Sequence, residues 1–100
     1  MEFEWDEEKR RRNIEKHGVD LADAALIFEN EVLTKPDRRL DYGEERFISV
    51  GIADGHFYVV IHTYRGTKTR IISARQTGRQ HYARYQKSIT RRNPGDEGTR

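Results

Sequence analysis

A chain of 100 residues is long enough for one domain with its own core, and without cysteine it has no disulfide, thiolate metal site or cysteine nucleophile. No apolar stretch approaches the roughly 20 residues that cross a bilayer, and Met1-Glu2-Phe3-Glu4-Trp5 lacks the basic and apolar regions of a signal peptide, so a soluble cytoplasmic protein is expected. The net charge of +2 conceals a division: residues 1–55 hold nine Lys and Arg against fifteen Asp and Glu, and residues 56–100 hold ten against two, which predicts one face that seeks phosphate and another that is solvated or meets a different partner.

Phe3-Glu4-Trp5 alternates apolar and polar residues and reads as a short strand or anchoring arm. Asp6 is a helix N-cap, with Glu7 and Glu8 suited to the positive end of the dipole. The helix runs to Lys16-His17, and Gly18 supplies a left-handed exit. Its apolar content is little more than Ile14, which predicts a surface helix whose Arg10-Arg11-Arg12 run pairs with Glu7, Glu8 and Glu15. Asn13 reads as a structural hydrogen-bonding residue and His17 as a helix-end cation. Asp20 caps a second helix, in which Leu21, Ala24, Ala25 and Phe28 share a face that Leu26 and Ile27 widen. Val32-Leu33-Thr34 is a brief strand, Pro36-Asp37-Arg38-Arg39 turns away from it, and Asp41 to Glu44 is a loop.

Arg46 to Ala53 and His56 to Tyr64 read as two strands joined by Asp54-Gly55, a type I′ hairpin signal that fixes their register. Ile48, Val50 and Ile52 then stand opposite Ile61, Val59 and Phe57, and these six predict a core face covered by the second helix. The other face, with Phe47, Ser49, Gly51 and Ala53 beside His56, Tyr58, Val60, His62 and Tyr64, is expected to form a shallow concave surface. Thr67 to Arg75 is a third strand. An even-numbered turn before it places Ile72 and Ala74 on the core face and Ser73 and Arg75 beside Tyr58 and His56; an odd one reverses this. A basic helix from about Arg79 to Thr90 follows. The domain is expected to span residues 1–92, with 93–100 a disordered polar tail.

The basic half also holds His56, His62, His81 and four tyrosines, side chains that can both hold RNA and act on it. No H-x-x-x-H or H-E-x-x-H pattern occurs, and His56 and His62 on one strand stand about 20 Å apart, so neither a metal site nor a cofactor is expected. No G-x-G-x-x-G or phosphate-binding loop occurs either. Glu44 and Glu45, adjacent on an extended chain, point to opposite faces, which leaves one of them as a lone general base. Arg75 ends the neutral stretch Ile71-Ile72-Ser73-Ala74, where a sheet releases a side chain at its rim, and its guanidinium suits bidentate capture of a phosphate. Arg46, Arg70 and Lys35 are weaker candidates of the same kind, and on the last helix Arg79 and His81 add RNA contacts. Tyr82 and Tyr85 either pack or stack on bases.

Several of these residues recur together in a known family. Trp5-Asp6, Lys9, Asn13, Lys16-His17-Gly18-Val19, Asp23-Ala24-Ala25, Glu44-Glu45-Arg46-Phe47, Gly51 and Ile71-Ile72-Ser73-Ala74-Arg75 resemble the BrnT toxin family, from about Phe3 to Tyr85. The resemblance implies an α+β, RelE-like fold: an antiparallel sheet of three long strands plus one or two short N-terminal strands, two N-terminal helices packed on it, and a C-terminal basic helix. It implies the toxin of a type II toxin-antitoxin system, a metal-independent endoribonuclease that inhibits translation. The expected partners are RNA, as mRNA free or on the ribosome, and a BrnA-like antitoxin with a ribbon-helix-helix-type DNA-binding module. DNA is contacted only through that complex, and no membrane is involved.

By position, Arg75 matches the family's strand-end arginine, and Glu45 and Arg46 its Glu-Glu-Arg-Phe motif. The last helix departs from the family pattern, with Arg79-Gln80-His81-Tyr82 where many members carry a run of Arg and Glu. The implied chemistry is attack by a 2′-hydroxyl on the adjacent phosphorus. Glu45 or His62 is the base, Arg75 and Arg46 stabilise charge in one shared cleft, and Tyr82 or His81 protonates the leaving oxygen. The same basic face would equally serve a non-catalytic RNA-binding module or a co-repressor acting with a DNA-binding partner.

Overall fold

The computed structural model describes residues 1–90; the expected polar tail and the expected domain boundary at residue 92 lie outside them. Five strands form one sheet in the order β1-β5-β4-β3-β2, with β1 at Glu2–Glu4, β2 at Leu33–Pro36, β3 at Phe47–Ala53, β4 at His56–Arg65 and β5 at Lys68–Thr77. The helices are α1 at Glu7–His17, α2 at Leu21–Ala24 continuing as a 3-10 turn over Ala25–Glu29, and α3 at Arg79–Thr90. The sheet is mixed rather than antiparallel throughout, because β1 runs parallel to β5, with Phe3 opposite Thr69. No helix among the described residues is long and apolar enough to cross a membrane.

The local signals act where the sequence places them. Asp6 Oδ1 accepts from the N–H groups of Glu8 and Lys9, and Gly18, at φ 69°, closes α1 with its N–H on the Ile14 carbonyl. Asp54 and Gly55 both take positive φ, as a type I′ turn requires, and set Ile48 opposite Ile61, Val50 opposite Val59 and Ile52 opposite Phe57.

Helices cover both faces of the sheet, and not as the sequence predicts. Five of the six apolar residues lie under α3, whose Tyr82, Tyr85 and Ile89 cluster with Ile48, Val50, Val59, Phe57 and Ile61, while Ile52, expected in the core, is 41% exposed. The face expected to be open and concave is the main core, where Leu21, Ala24, Ala25 and Ile27 of α2 and its 3-10 extension meet Ala53, Tyr58, Val60, Ile71 and Ala74. The reason is the run of small residues on β3. A Cβ on Gly51 would stand 2.9 Å from the Ile27 Cβ and 3.0 Å from Val32 Cγ1, so the hollow at Ser49, Gly51 and Ala53 is the seat into which the 3-10 turn settles. Ser49 and His62 are buried there as a hydrogen-bonded pair.

A β-bulge decides where Arg75 goes. The turn between β4 and β5, Gly66-Thr67, is even-numbered, yet the register shifts between Ile61 and His62, so His62 faces Ile71 while Ile61 faces Ser73. Ala74 therefore stands opposite Val60 on the α2 side, and Arg75 opposite Val59 on the α3 side. This overturns the placement of Arg75 beside Tyr58 and His56. Beyond the bulge the even-turn assignment is reversed, as an odd-numbered turn would have done: Ser73 faces Ile61 and Arg75 faces Val59.

Candidate active site

The last helix is divided lengthwise. Tyr82 and Ile89 point into the sheet, while His81, Arg84, Tyr85 and Ser88, spaced i, i+3, i+4 and i+7, line a cleft of about 710 Å³ against the segment Lys35 to Arg39, with Ile48 as its floor. Lys35 Nζ donates to Ser88 Oγ at 2.7 Å and ties the β2 edge to α3. Arg39, Ile48 and Tyr85 continue into a narrower recess of about 90 Å³, lined also by His17, Val59, Ser73 and Arg75. Here a guanidinium N–H of Arg75 donates to the Tyr85 hydroxyl, and the guanidinium carbon lies 5.8 Å from the Tyr85 ring centre.

Arg39 owes its position to Asp37. The Asp37 carboxylate is buried and accepts from Arg39 Nε at 2.7 Å, Arg39 Nη2 at 2.9 Å and the Tyr42 hydroxyl at 3.1 Å, while the Asp37 N–H donates to the Arg46 carbonyl at 2.7 Å. The Arg39 hydrogen bonds hold this carboxyl down to about 2 against the opposing effect of burial. The Arg39 side chain itself stays 60% exposed, so the ion pair orients a cation without hiding it. Lys35, Arg38, Arg39, Arg75 and Arg84, with His17 and His81, thus face the cleft and its recess, against the single carboxylate of Asp37. Such a concentration of cations attracts a phosphodiester backbone.

Arg46 and Arg75 do not share this cleft, which corrects the expectation that they grip one phosphate. Arg46 lines an adjoining recess of about 320 Å³ with Tyr42, Glu44 and Glu45; it shares Pro36 to Arg39 with the cleft, but Arg39 alone with the recess of Arg75. There Arg46 Nε donates to Glu44 at 3.1 Å and its guanidinium lies 4.2 Å over the Tyr42 ring. Glu45 is exposed beside it, and its backbone carbonyl accepts from Thr63 Oγ1.

Two further candidates belong to the cores. His62 has no exposed surface; it sits among Phe28, Phe47 and Tyr64, with ring centres 5.1, 5.9 and 5.4 Å away, and its Nε2 meets Ser49 Oγ at 2.7 Å. Burial lowers it to about 4, so it is neutral, and its Nδ1 has no partner among the described residues. Tyr82, 8% exposed, packs on Phe57 at 4.7 Å, and burial raises its phenol. His62 is closed off from any substrate, and Tyr82 lines neither the cleft nor its recess. Arg70 is bound to Glu4 at 2.9 Å beside β1, and Arg79 lies 5.6 Å from the Phe57 ring; neither lines the cleft. Lys35 and His81 do.

Sequence reasoning did not single out Arg38, Arg39, Arg84 or Ser88, and it assigned His17 to a helix end. The signal available for α3 was the spacing 81, 84, 85 and 88; for Arg39 it was the aspartate two residues before it. Among the described residues no group of three His, Asp or Glu is arranged to hold a metal ion. Over residues 5–81 the sequence matches a family model described as ribonuclease toxin, BrnT, of type II toxin-antitoxin system. No curated protein matches the chain.

Proposed function

The chain belongs to the BrnT family of ribonuclease toxins of type II toxin-antitoxin systems, and from that membership we propose that it cuts RNA, with no metal ion, in the cleft between the Lys35–Arg39 segment and α3. The observation that carries this reading is the meeting of Arg75, Tyr85 and Arg39 in one electropositive recess. A scissile phosphodiester bound there has its non-bridging oxygens on the guanidinium groups of Arg75 and Arg39, which stabilise the extra charge of the five-coordinate phosphorus. The adjacent 2′-oxygen attacks phosphorus, the bond to the 5′-oxygen breaks, and that oxygen takes a proton from the Tyr85 phenol or from His81. The products are a 2′,3′-cyclic phosphate and a 5′-hydroxyl, and no water is consumed.

In this reading Lys35, Arg38 and Arg84 hold flanking phosphates, and Arg46 with Glu45 contacts the strand beyond Arg39. The fold is RelE-like, with the hairpin sheet as a rigid floor. Cutting mRNA, free or on the ribosome, arrests translation in the cytoplasm. A cognate antitoxin with a ribbon-helix-helix-type module neutralises the protein and carries its only contact with DNA.

Incubating the purified protein with RNA in EDTA, at low and high salt, tests the proposal. Cleavage with cyclic-phosphate ends, together with growth arrest relieved by the neighbouring antitoxin gene, is the expected result. Intact RNA that nevertheless shifts in a salt-sensitive way would replace it with a non-catalytic binder or co-repressor.

A further inference from the structure

We propose that His17, which the helix-end reading leaves as a surface residue, is the general base that takes the 2′-hydroxyl proton; this rests on the ribonuclease reading above. Its position is built, not incidental. Asn13 and His17 are one helical turn apart and share a face of α1. Asn13 Nδ2 donates to the Ala74 carbonyl at 2.8 Å and to the Val19 carbonyl at 2.9 Å, and its Oδ1 accepts from the Ala74 N–H at 3.1 Å. The last turn of α1 is therefore registered against β5 at the residue before Arg75. His17 consequently lines the same recess as Arg75, Arg39 and Tyr85 while staying exposed to solvent.

Chemistry singles it out among the groups that line this recess. The titratable and charged side chains facing His17 are Arg75 from β5, Arg39 from the connection after β2 and Tyr85 from α3. No carboxylate lines the recess among the described residues. An arginine does not give up its proton and a phenol holds its own near neutrality, so an imidazole is the group there that can accept one. The other candidate bases stand elsewhere: His62 inside the core and Glu45 in the recess of Arg46. In the step proposed, an imidazole nitrogen of His17 takes the proton as the 2′-oxygen bonds to phosphorus. The departing 5′-oxygen receives its own proton from the α3 side of the cleft, from Tyr85 or His81.

The test compares wild type with His17→Ala and His17→Asn on RNA in EDTA, alongside binding to the same RNA with 2′-O-methyl groups, which cannot be cut. The expected result is a loss of cleavage of about 10²–10⁴-fold with binding and melting temperature unchanged. The acidic limb of the rate–pH profile should vanish in the variants, and free imidazole should restore turnover to His17→Ala. Cleavage by His17→Ala at the wild-type rate overturns the assignment and leaves the ribonuclease reading standing. So does lost cleavage that tracks lost binding and resists imidazole. A wild-type protein that leaves RNA intact overturns both.

Discussion

Asn13 holds the two peptide groups of Ala74 at once, its Nδ2 on the carbonyl and its Oδ1 on the N–H, from a position 61 residues earlier in the chain. β1 pairs with β5 only as far as Arg70, so beyond that point the outer edge of β5 lacks a strand, and one buried amide side chain takes the strand's place. The same amide reaches the Val19 carbonyl and so closes the turn after α1.

Replacing Asn13 with Ala strands three buried hydrogen-bonding groups, each worth about 1–3 kcal/mol when left unpaired, although relaxation and water recover part of this. The expected cost is about 2–4 kcal/mol in urea unfolding. A loss below about 0.5 kcal/mol, the range of ordinary surface changes, would show that α1 is not held through this residue.

Gly51 is a packing position. Gly51→Ala pushes a methyl group against Ile27 and Val32, where the Cβ would lie 2.9 Å from the Ile27 Cβ. Overpacking of this kind costs about 1–3 kcal/mol, to be read as a lower melting temperature. An unchanged or higher melting temperature would mean that the 3-10 turn does not sit as closely on β3 as described.

Legibility differed by the kind of signal. The α1 caps, the Asp54-Gly55 turn and the start of α3 at Arg79 were readable because each rests on residues close in sequence. Which helix covers which face was not, since both faces of the hairpin are apolar enough to be buried. Small residues at Ser49, Gly51 and Ala53 suit a helix seat as well as an open groove. The side on which Arg75 emerges depends on a bulge at Ile61/His62 that no turn residue announces. The charge division along the chain also misled: Lys35, Arg38 and Arg39 come from the acidic half and supply three of the five Lys and Arg in the cleft and its recess. Most of that half's other arginines are spent on neighbours, as in Arg10 with Glu7 and Asp20 and Arg11 with Glu8.

His62 should make stability fall with acid. The unfolded chain takes up this proton near 6.5 and the folded protein only near 4. The His62 contribution is therefore complete above pH 6.5 and declines as pH drops toward 4, by roughly 1.4 kcal/mol per unit and roughly 3 kcal/mol in all. Unfolding free energies of wild type and His62→Phe between pH 7 and 4 isolate the effect, because other titrating groups are common to both. Parallel curves would mean that His62 is protonated in the folded protein.

Tyr85 and Tyr82 separate chemistry from packing on one helix. Tyr85→Phe keeps the ring against Ile48 and removes the hydroxyl that Arg75 meets. Cleavage should fall, by up to about 10²–10⁴-fold if the phenol is the sole acid, with stability unchanged. Tyr82→Phe, whose hydroxyl lines neither cleft nor recess, should cleave as wild type does. The reverse ranking in single-turnover rates would put the proton donor in the wrong place.

The most direct measurement is the initial rate of RNA cleavage in EDTA, at fixed salt and saturating protein, for wild type and Arg75→Ala. Arg75 is exposed, so its loss should leave folding intact. The account predicts a fall of about 10²–10³-fold, the scale of removing one oriented donor from a developing oxyanion, with RNA still bound. Equal rates for the two proteins would contradict it and move the chemistry away from the Arg75–Tyr85 recess.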